Sequence, residues 1–156
     1  MALLIGTHVN KIDKKGRISV PKPFRDAILA EGSNLYVYPS FKFPAIEASG
    51  QEFMQRLTES LYGKDGFSDD HDALAAAILG NAHALTFDPE GRVLMPKELI
   101  KHASIKGCAL FSGMGRSMQI WEPDAHAAHR RWGAEQARSR GVTLPYIPSP
   151  PKGEGS

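Results

Sequence analysis

Polar and apolar residues alternate in short segments that Gly and Pro interrupt. Arg17 to Val20 has the period of two that is typical of a half-buried strand. Thr7 to Ile12 is rich in β-branched residues and ends at an Asp-x-x-Gly break, which predicts a strand entering a tight turn. Pro21 then stops the second strand, and Phe24 and Ile28 follow at the i, i+4 spacing of a short buried helix. The pattern predicts a strand–turn–strand–helix unit.

This unit occurs twice. Ile12 to Lys22 matches Phe87 to Lys97 at an offset of 75, with Asp, Gly-Arg and Pro-Lys in common. The same offset places later residues on one another: Phe24 on Leu99, Ile28 on Ala103, Gly32 on Gly107, Leu35 on Leu110 and Tyr36 on Phe111. Further strands are predicted at Leu35–Tyr38, Ala84–Phe87, Arg92–Met95, Ala109–Phe111 and Gln119–Trp121. Because one unit buries little core alone, we expect the two copies, at residues 7–50 and 82–123, to form one pseudo-twofold, β-rich α+β domain.

The remaining segments predict helices and a tail. In the connector, residues 51–81, Phe53, Leu57 and Leu61 recur every four positions and predict an amphipathic helix. We expect Asp72 to cap a second helix over 73–79 that ends at Gly80. A C-terminal helix is expected over 124–140 with Trp132 on its apolar side, followed by a flexible Pro- and Gly-rich tail over 141–156.

Composition excludes several classes of protein. The chain has 156 residues and a single cysteine, Cys108, so a disulfide-stapled secreted scaffold is excluded. The N-terminal apolar run, residues 2–5, is too short for a signal segment or a membrane span, so we expect a cytoplasmic protein. The formal charge is only +2, but residues 1–25 carry +5, residues 26–80 carry −6 and residues 81–156 carry +3. The basic cluster is a candidate anion site.

The two Asp-x-x-Gly-Arg loops differ in charge. The first, 13–17, carries +2 and the second, 88–92, carries −1. We assign Lys14 and Lys15 to phosphate positioning, with Lys11 extending the same face. Arg17 is the candidate for a bidentate contact to guanine or phosphate, while Arg92 is expected mainly to brace its turn and only secondarily to contact DNA. The predicted turn-forming residues of the two loops are Asp13, Gly16, Asp88 and Gly91.

Other motifs do not form a catalytic or metal site. Ser19-Val20-Pro21-Lys22 fits Ser-x-x-Lys, but the companion motifs of penicillin-recognising enzymes do not occur. Cys108 precedes an apolar strand and is predicted to be a small core residue. His126 and His129 lack further ligands in register and are expected on a solvated helix surface. Gly113 to Arg116 predicts a hairpin turn rather than a dinucleotide loop. We expect no catalytic residue, metal or cofactor.

The repeat also carries a family resemblance. Val9 to Pro21, followed by Phe24-Arg25, resembles the first half of the MraZ family. Leu79 to Ala82, ahead of the second loop, resembles its second half, and Ile120-Trp121 its closing strand. The resemblance covers residues 3–133. Two features depart from the family pattern: Ile100 stands where a basic residue is usual, and residues 43–48 are a weak version of the corresponding strand.

The resemblance implies a fold and a function. MraZ proteins are a double form of the AbrB-type (SpoVT-AbrB) swapped-hairpin DNA-binding module, so the implied fold is two such repeats packed as one pseudo-twofold β-barrel with connecting helices. The implied function is a transcriptional regulator, expected to repress the division and cell-wall gene cluster from repeated sites upstream of its own gene. The implied partners are double-stranded DNA and further copies of the chain in a ring-like homo-oligomer at the nucleoid, without membrane or small-molecule substrate.

Two alternatives stay open from the residues. One keeps the fold but makes it a protein-interaction module of antitoxin type, with the connector helices and the tail carrying the function. The other is a hydrolase that uses Ser19 or Cys108. Loss of activity in Ser19→Ala, with no effect of Arg17→Ala, would favour the hydrolase.

Overall fold

The computed structural model describes residues 3–63 and 65–145, in two compact units divided after His126. The strands are β1 Thr7–Lys11, β2 Arg17–Ser19, β3 Asn34–Pro39, β4 Ile46–Ser49, β5 His83–Thr86, β6 Arg92–Leu94, β7 Cys108–Gly113 and β8 Met118–Trp121. The helices are α1 Lys22–Leu29, α2 Gln51–Tyr62, α3 Asp69–Leu74, α4 Lys97–His102 and α5 Pro123–Ser139. Along the chain, these elements form two strand–turn–strand–helix units with helices α2 and α3 between them.

The sheet interleaves the two copies. Six antiparallel strands have the order β1-β7-β8-β4-β3-β5, and β2 pairs with β6 in a separate ribbon. Exchanging β1 with β5, β3 with β7 and β4 with β8 reproduces the same order read backwards. The first strand of each copy therefore pairs with the third strand of the other copy, in a pseudo-twofold arrangement with swapped strands.

The sheet does not close into the predicted barrel. Within residues 3–63 and 65–145, β1 and β5 are the two edges of the six-stranded sheet. The ribbon that could link these edges has strands of only three residues, and it joins the β1 side through a single bridge between Ile12 and Ile18. Because the ribbon is joined to the β1 side only through this bridge, the hydrogen-bonded strands do not form a closed circle. The prediction of a closed β-barrel was therefore wrong.

The repeat offset changes by one residue after the first helix of each copy. Val9 pairs with Leu110, and its counterpart Ala84 pairs with Tyr36, so Tyr36 is equivalent to Leu110 at an offset of 74. The alignments of Leu35 with Leu110 and of Tyr36 with Phe111 were therefore wrong by one position. The helix and the connection after it together span 12 residues in the first copy, 22–33, and 11 in the second, 97–107, and this difference accounts for the change in offset.

Both copies contribute to one core. Ile18 lies opposite Val93 at the centre of the ribbon, and both side chains are buried. Phe24 and Leu99, equivalent residues on α1 and α4, are buried in the same cluster. Each such side chain contributes about 1.5–3 kcal/mol through burial. A shared core explains how units this small are stable together.

The connector is helical, as predicted, but its second helix begins earlier. Ser68, not Asp72, is the N-cap residue of α3, because its Oγ accepts a hydrogen bond from the His71 amide at 3.1 Å. Asp72 lies within the first turn. The helix continues as one π-helical turn, Ala75–Leu79, and ends at Gly80 as expected.

The C-terminal helix α5 ends one residue before the predicted boundary. Trp132 stacks on His129 with ring centroids 5.3 Å apart but is 51% exposed, so the predicted burial of an apolar side is only partial. Residues 146–156, most of the predicted tail, lie outside the described residues. Across the described part of the chain, no helix has the length and apolar character needed to cross a bilayer.

Candidate nucleic-acid interface

The first loop is held together by the carboxylate of Asp13. Its Oδ1 accepts hydrogen bonds from the backbone amides of Lys15 and Arg17, both at 2.9 Å. Its Oδ2 accepts from Arg17 Nε at 2.7 Å. Gly16 closes the turn at a φ of +93°, a conformation that glycine adopts without steric cost. The hydrogen bond from the Arg17 amide, together with the Arg17 guanidinium and the Lys15 amide, holds the pKa of Asp13 below its ordinary value.

The second loop repeats this clamp. Asp88 Oδ1 accepts from the amides of Glu90 and Arg92 at 2.9 Å, and Oδ2 accepts from Arg92 Nε at 2.8 Å. The hydrogen bond from the Arg92 amide, together with its guanidinium, lowers the pKa of Asp88. Gly91 has a φ of +79°. Arg92 Nη2 lies 3.3 Å from Glu90 Oε2, a contact that loop 13–17 has no acidic residue to make.

The two arginines therefore differ in which guanidinium nitrogen atoms remain available to bind a ligand. Both use Nε to brace a turn, the role that the sequence predicted for Arg92 but not for Arg17. The Arg17 side chain is 41% exposed, and among the residues the structure describes its Nη atoms have no hydrogen-bond partner. Arg17 can thus brace its loop through one edge of the guanidinium and present the other edge to a ligand.

The strand exchange decides which helix supports each loop. Gly16 O accepts from Met95 N at 2.9 Å, and a Cβ at Gly16 would lie 3.2 Å from Ile100 on α4. Gly91 lies under the Arg25 guanidinium of α1. The residue at position 100 therefore affects the first loop.

The lysines lie around the first loop. Lys14 and Lys15 are exposed at the turn, and Lys11 is exposed at the end of β1, where it pairs with Cys108 of β7. Sequence reasoning missed Lys97 and Lys106 of the second copy, which line a cleft beside this loop. Combining the repeat with the strand exchange could have found Lys97, since the exchange places α4 against the first turn.

The motifs set aside in the sequence form no reactive arrangement. Lys22 Nζ forms an ion pair with Asp26 at 2.7 Å, and the Ser19 carbonyl accepts a hydrogen bond from Asn10 Nδ2 at 2.7 Å. Residues 3–63 and 65–145 contain no group of three His, Cys, Asp or Glu side chains placed to hold a metal.

His126 is buried against Trp121, with ring centroids 5.8 Å apart, so its predicted place on a solvated surface was wrong. The half-buried Cys108 begins β7, and Met114 to Ser117 form the turn between β7 and β8, one residue later than the predicted hairpin turn.

The structure contains two copies of a strand–turn–strand–helix–strand unit that exchange strands and share one core. Each copy presents a clamped Asp-x-x-Gly-Arg turn. These features define a swapped-hairpin protein of two repeats.

The family described as "MraZ protein, putative antitoxin-like" matches residues 78–134. The transcriptional regulator MraZ of Gluconacetobacter diazotrophicus is 41% identical over 149 residues, covering 93% of each chain. That of Pelagibacter ubique is 43% identical over 124 residues, covering 79% of this chain and 80% of its own.

That of Rickettsia akari is 35% identical over 145 residues, covering 92% of this chain and 97% of its own. The chain belongs to the MraZ family. Its fold thus consists of two AbrB-like repeats, as the resemblance implied. The family is one of transcriptional regulators and not of enzymes, which leaves the hydrolase alternative without support.

Proposed function

We propose that the chain is a sequence-specific DNA-binding transcriptional regulator that contacts DNA through the first Asp-x-x-Gly-Arg loop. The observation that carries the proposal is the geometry of Arg17, whose Nε is held by Asp13 while its side chain stays 41% exposed next to the turn that carries Lys14 and Lys15. The curated relatives are named transcriptional regulators, which supports the same class of function.

The loop supplies two kinds of contact. Lys14 and Lys15 attract backbone phosphates, since a cation that neutralises a phosphate releases counterions and strengthens binding. Arg17 presents a planar pair of N–H groups to guanine O6 and N7, or to a phosphate. Because the Asp13 clamp has already fixed the loop and the Arg17 side chain, little conformational entropy is lost when these contacts form.

The proposed target is the upstream region of the chain's own gene and of the division and cell-wall cluster, with repression as the outcome. One small basic loop binds weakly, so we propose that a homo-oligomer presents several copies to repeated sites. Linked sites raise avidity by about 10²–10⁴ without new contacts. Sedimentation showing only monomer at working concentration would contradict this part of the proposal.

A mobility-shift titration on the chain's own upstream DNA tests the proposal. Arg17→Ala should weaken binding by roughly 5- to 150-fold, the range of a bidentate base contact. Arg92→Ala is the matched control, because it removes the equivalent clamp from the second loop and should cost less. Wild-type binding should also weaken steeply between about 50 and 200 mM salt. Equal, salt-insensitive shifts for all three proteins would refute the mechanism.

A second candidate function is a protein-interaction module of antitoxin type, which the description of the matched family favours. In that case a protein partner would bind equally well to wild type and to Arg17→Ala, and the upstream DNA would not be shifted. The same pair of proteins therefore separates the two functions.

A further inference from the structure

A cleft of about 220 Å³ opens beside the first loop, and both copies of the repeat line it. Lys14 and Lys15 come from the loop, Lys97 from the start of α4, and Lys106 from the segment between α4 and β7. These four lysines are all exposed, and Asp13 is the only acidic residue in the lining. The Asp13 carboxylate is already occupied by the loop clamp. The cleft therefore has a strongly positive potential.

The corresponding position at the second loop is filled. There the Arg25 guanidinium lies directly over Gly91 and donates a hydrogen bond to the Val20 carbonyl at 3.1 Å. At the first loop the equivalent helix residue is Ile100, whose shorter, uncharged side chain lies against Gly16. Ile100 forms part of the cleft wall, and the positive charge comes from lysines around the rim instead.

The geometry points to a phosphate-binding subsite for the DNA backbone in this cleft, with Lys97 and Lys106 as ligands supplied by the second copy. This inference rests on the proposed function, since the phosphate belongs to the DNA that Arg17 contacts. Lysine ammonium groups act as point charges with rotatable donors. Such groups suit this phosphate, because the contact that Arg17 makes at a neighbouring position already orients the DNA. The first loop then binds DNA more strongly than its own five residues allow.

The test measures DNA affinity as a function of salt for the double variant Lys97→Ala/Lys106→Ala. Each lost phosphate contact reduces the slope of log affinity against log salt by about 0.9. The double variant should therefore lose about 1–2 units of slope, because two cations contact one or two phosphates. The matched control is Lys22→Ala/Lys101→Ala, which removes the same charge from two exposed lysines outside the cleft and should leave the slope nearly unchanged.

The outcomes separate this inference from the function on which it rests. If wild type fails to shift the DNA, both fall. If Arg17→Ala loses binding while the cleft variant matches wild type or its control, only the cleft inference falls. Calorimetry with inorganic phosphate checks the other source of the ligand. Saturable phosphate binding that the double variant loses, without any change in DNA slope, would assign the cleft to free phosphate and overturn the inference.

Discussion

Gly16→Ala should destabilise the protein more than Gly115→Ala, which serves as a matched control because both glycines lie at positive φ. The two residues have φ of +93° and +92°. An added Cβ at Gly115 meets nothing within 4 Å, whereas at Gly16 it would lie 2.9 Å from the Met95 carbonyl and 3.2 Å from Ile100 Cδ1. The backbone penalty is therefore shared, and only Gly16→Ala adds a clash with the neighbouring strand.

The magnitudes follow from these two terms. A side chain in the left-handed region costs about 1–2 kcal/mol, which is the whole expected effect of Gly115→Ala. Inserting a methyl group where the backbone cannot retreat adds about 1–3 kcal/mol, so Gly16→Ala should lose roughly 2–5 kcal/mol. Urea denaturation of both variants and wild type gives the comparison. Equal free energies of unfolding for the two variants would refute the reasoning that the β2–β6 ribbon is rigid against the first loop.

Three further results are expected. The clamp lowers the pKa of Asp13, so the protection factors of the Lys15 and Arg17 amides, which correct for the pH dependence of intrinsic exchange, should hold as pH falls to the ordinary aspartate pKa and drop only below it; loss of protection at higher pH would contradict the clamp. Burial raises the pKa of Glu47, so the contribution of this residue to folding stability is present below the unfolded-state pKa and is lost as pH rises through the raised value. Glu47→Gln should remove this contribution, measured by urea denaturation at pH values below and above the ordinary glutamate pKa, and parallel stability curves for variant and wild type would argue against it. Ile18→Ala, at a side chain that is 2% exposed, should cost about 2–5 kcal/mol, and a cost within the range of surface substitutions would contradict the shared core.

Local features could be predicted from the sequence because their causes are local. The spacing of Asp13 and Gly16 fixes a turn through hydrogen bonds within five residues, and the same spacing recurs at Asp88 and Gly91. The start of α3 was harder, since both Ser68 and Asp72 are good N-cap residues. Ser68 prevails because capping there places Asp69, Asp70 and Asp72 in the first turn, where the helix dipole favours negative charge.

The full set of residues in the candidate site could not be predicted, because it depends on the exchange of strands between the two copies. The sequence places Arg25 eight residues after Arg17, yet the structure places it over Gly91 of the other copy. Lys97 is 82 residues from Lys15 in the chain but lines the same cleft. The net charge of a loop segment alone therefore understates the field around the first loop and misses the arginine that lies over the second.

Because the copies exchange strands, the charge around each loop is a joint property of both repeats. The second loop has a net charge of −1, with Glu90 next to Arg92, and it receives one cation, Arg25, from α1, so its formal charge is offset within the protein. The first loop carries two free-standing lysines and receives two more, and only the Asp13 carboxylate, already engaged by its own loop, opposes them. Uncompensated positive charge attracts an anion, and compensated charge does not. We therefore expect the near-identical clamps to have different roles: the second loop braces its own turn, while the first binds the backbone of DNA.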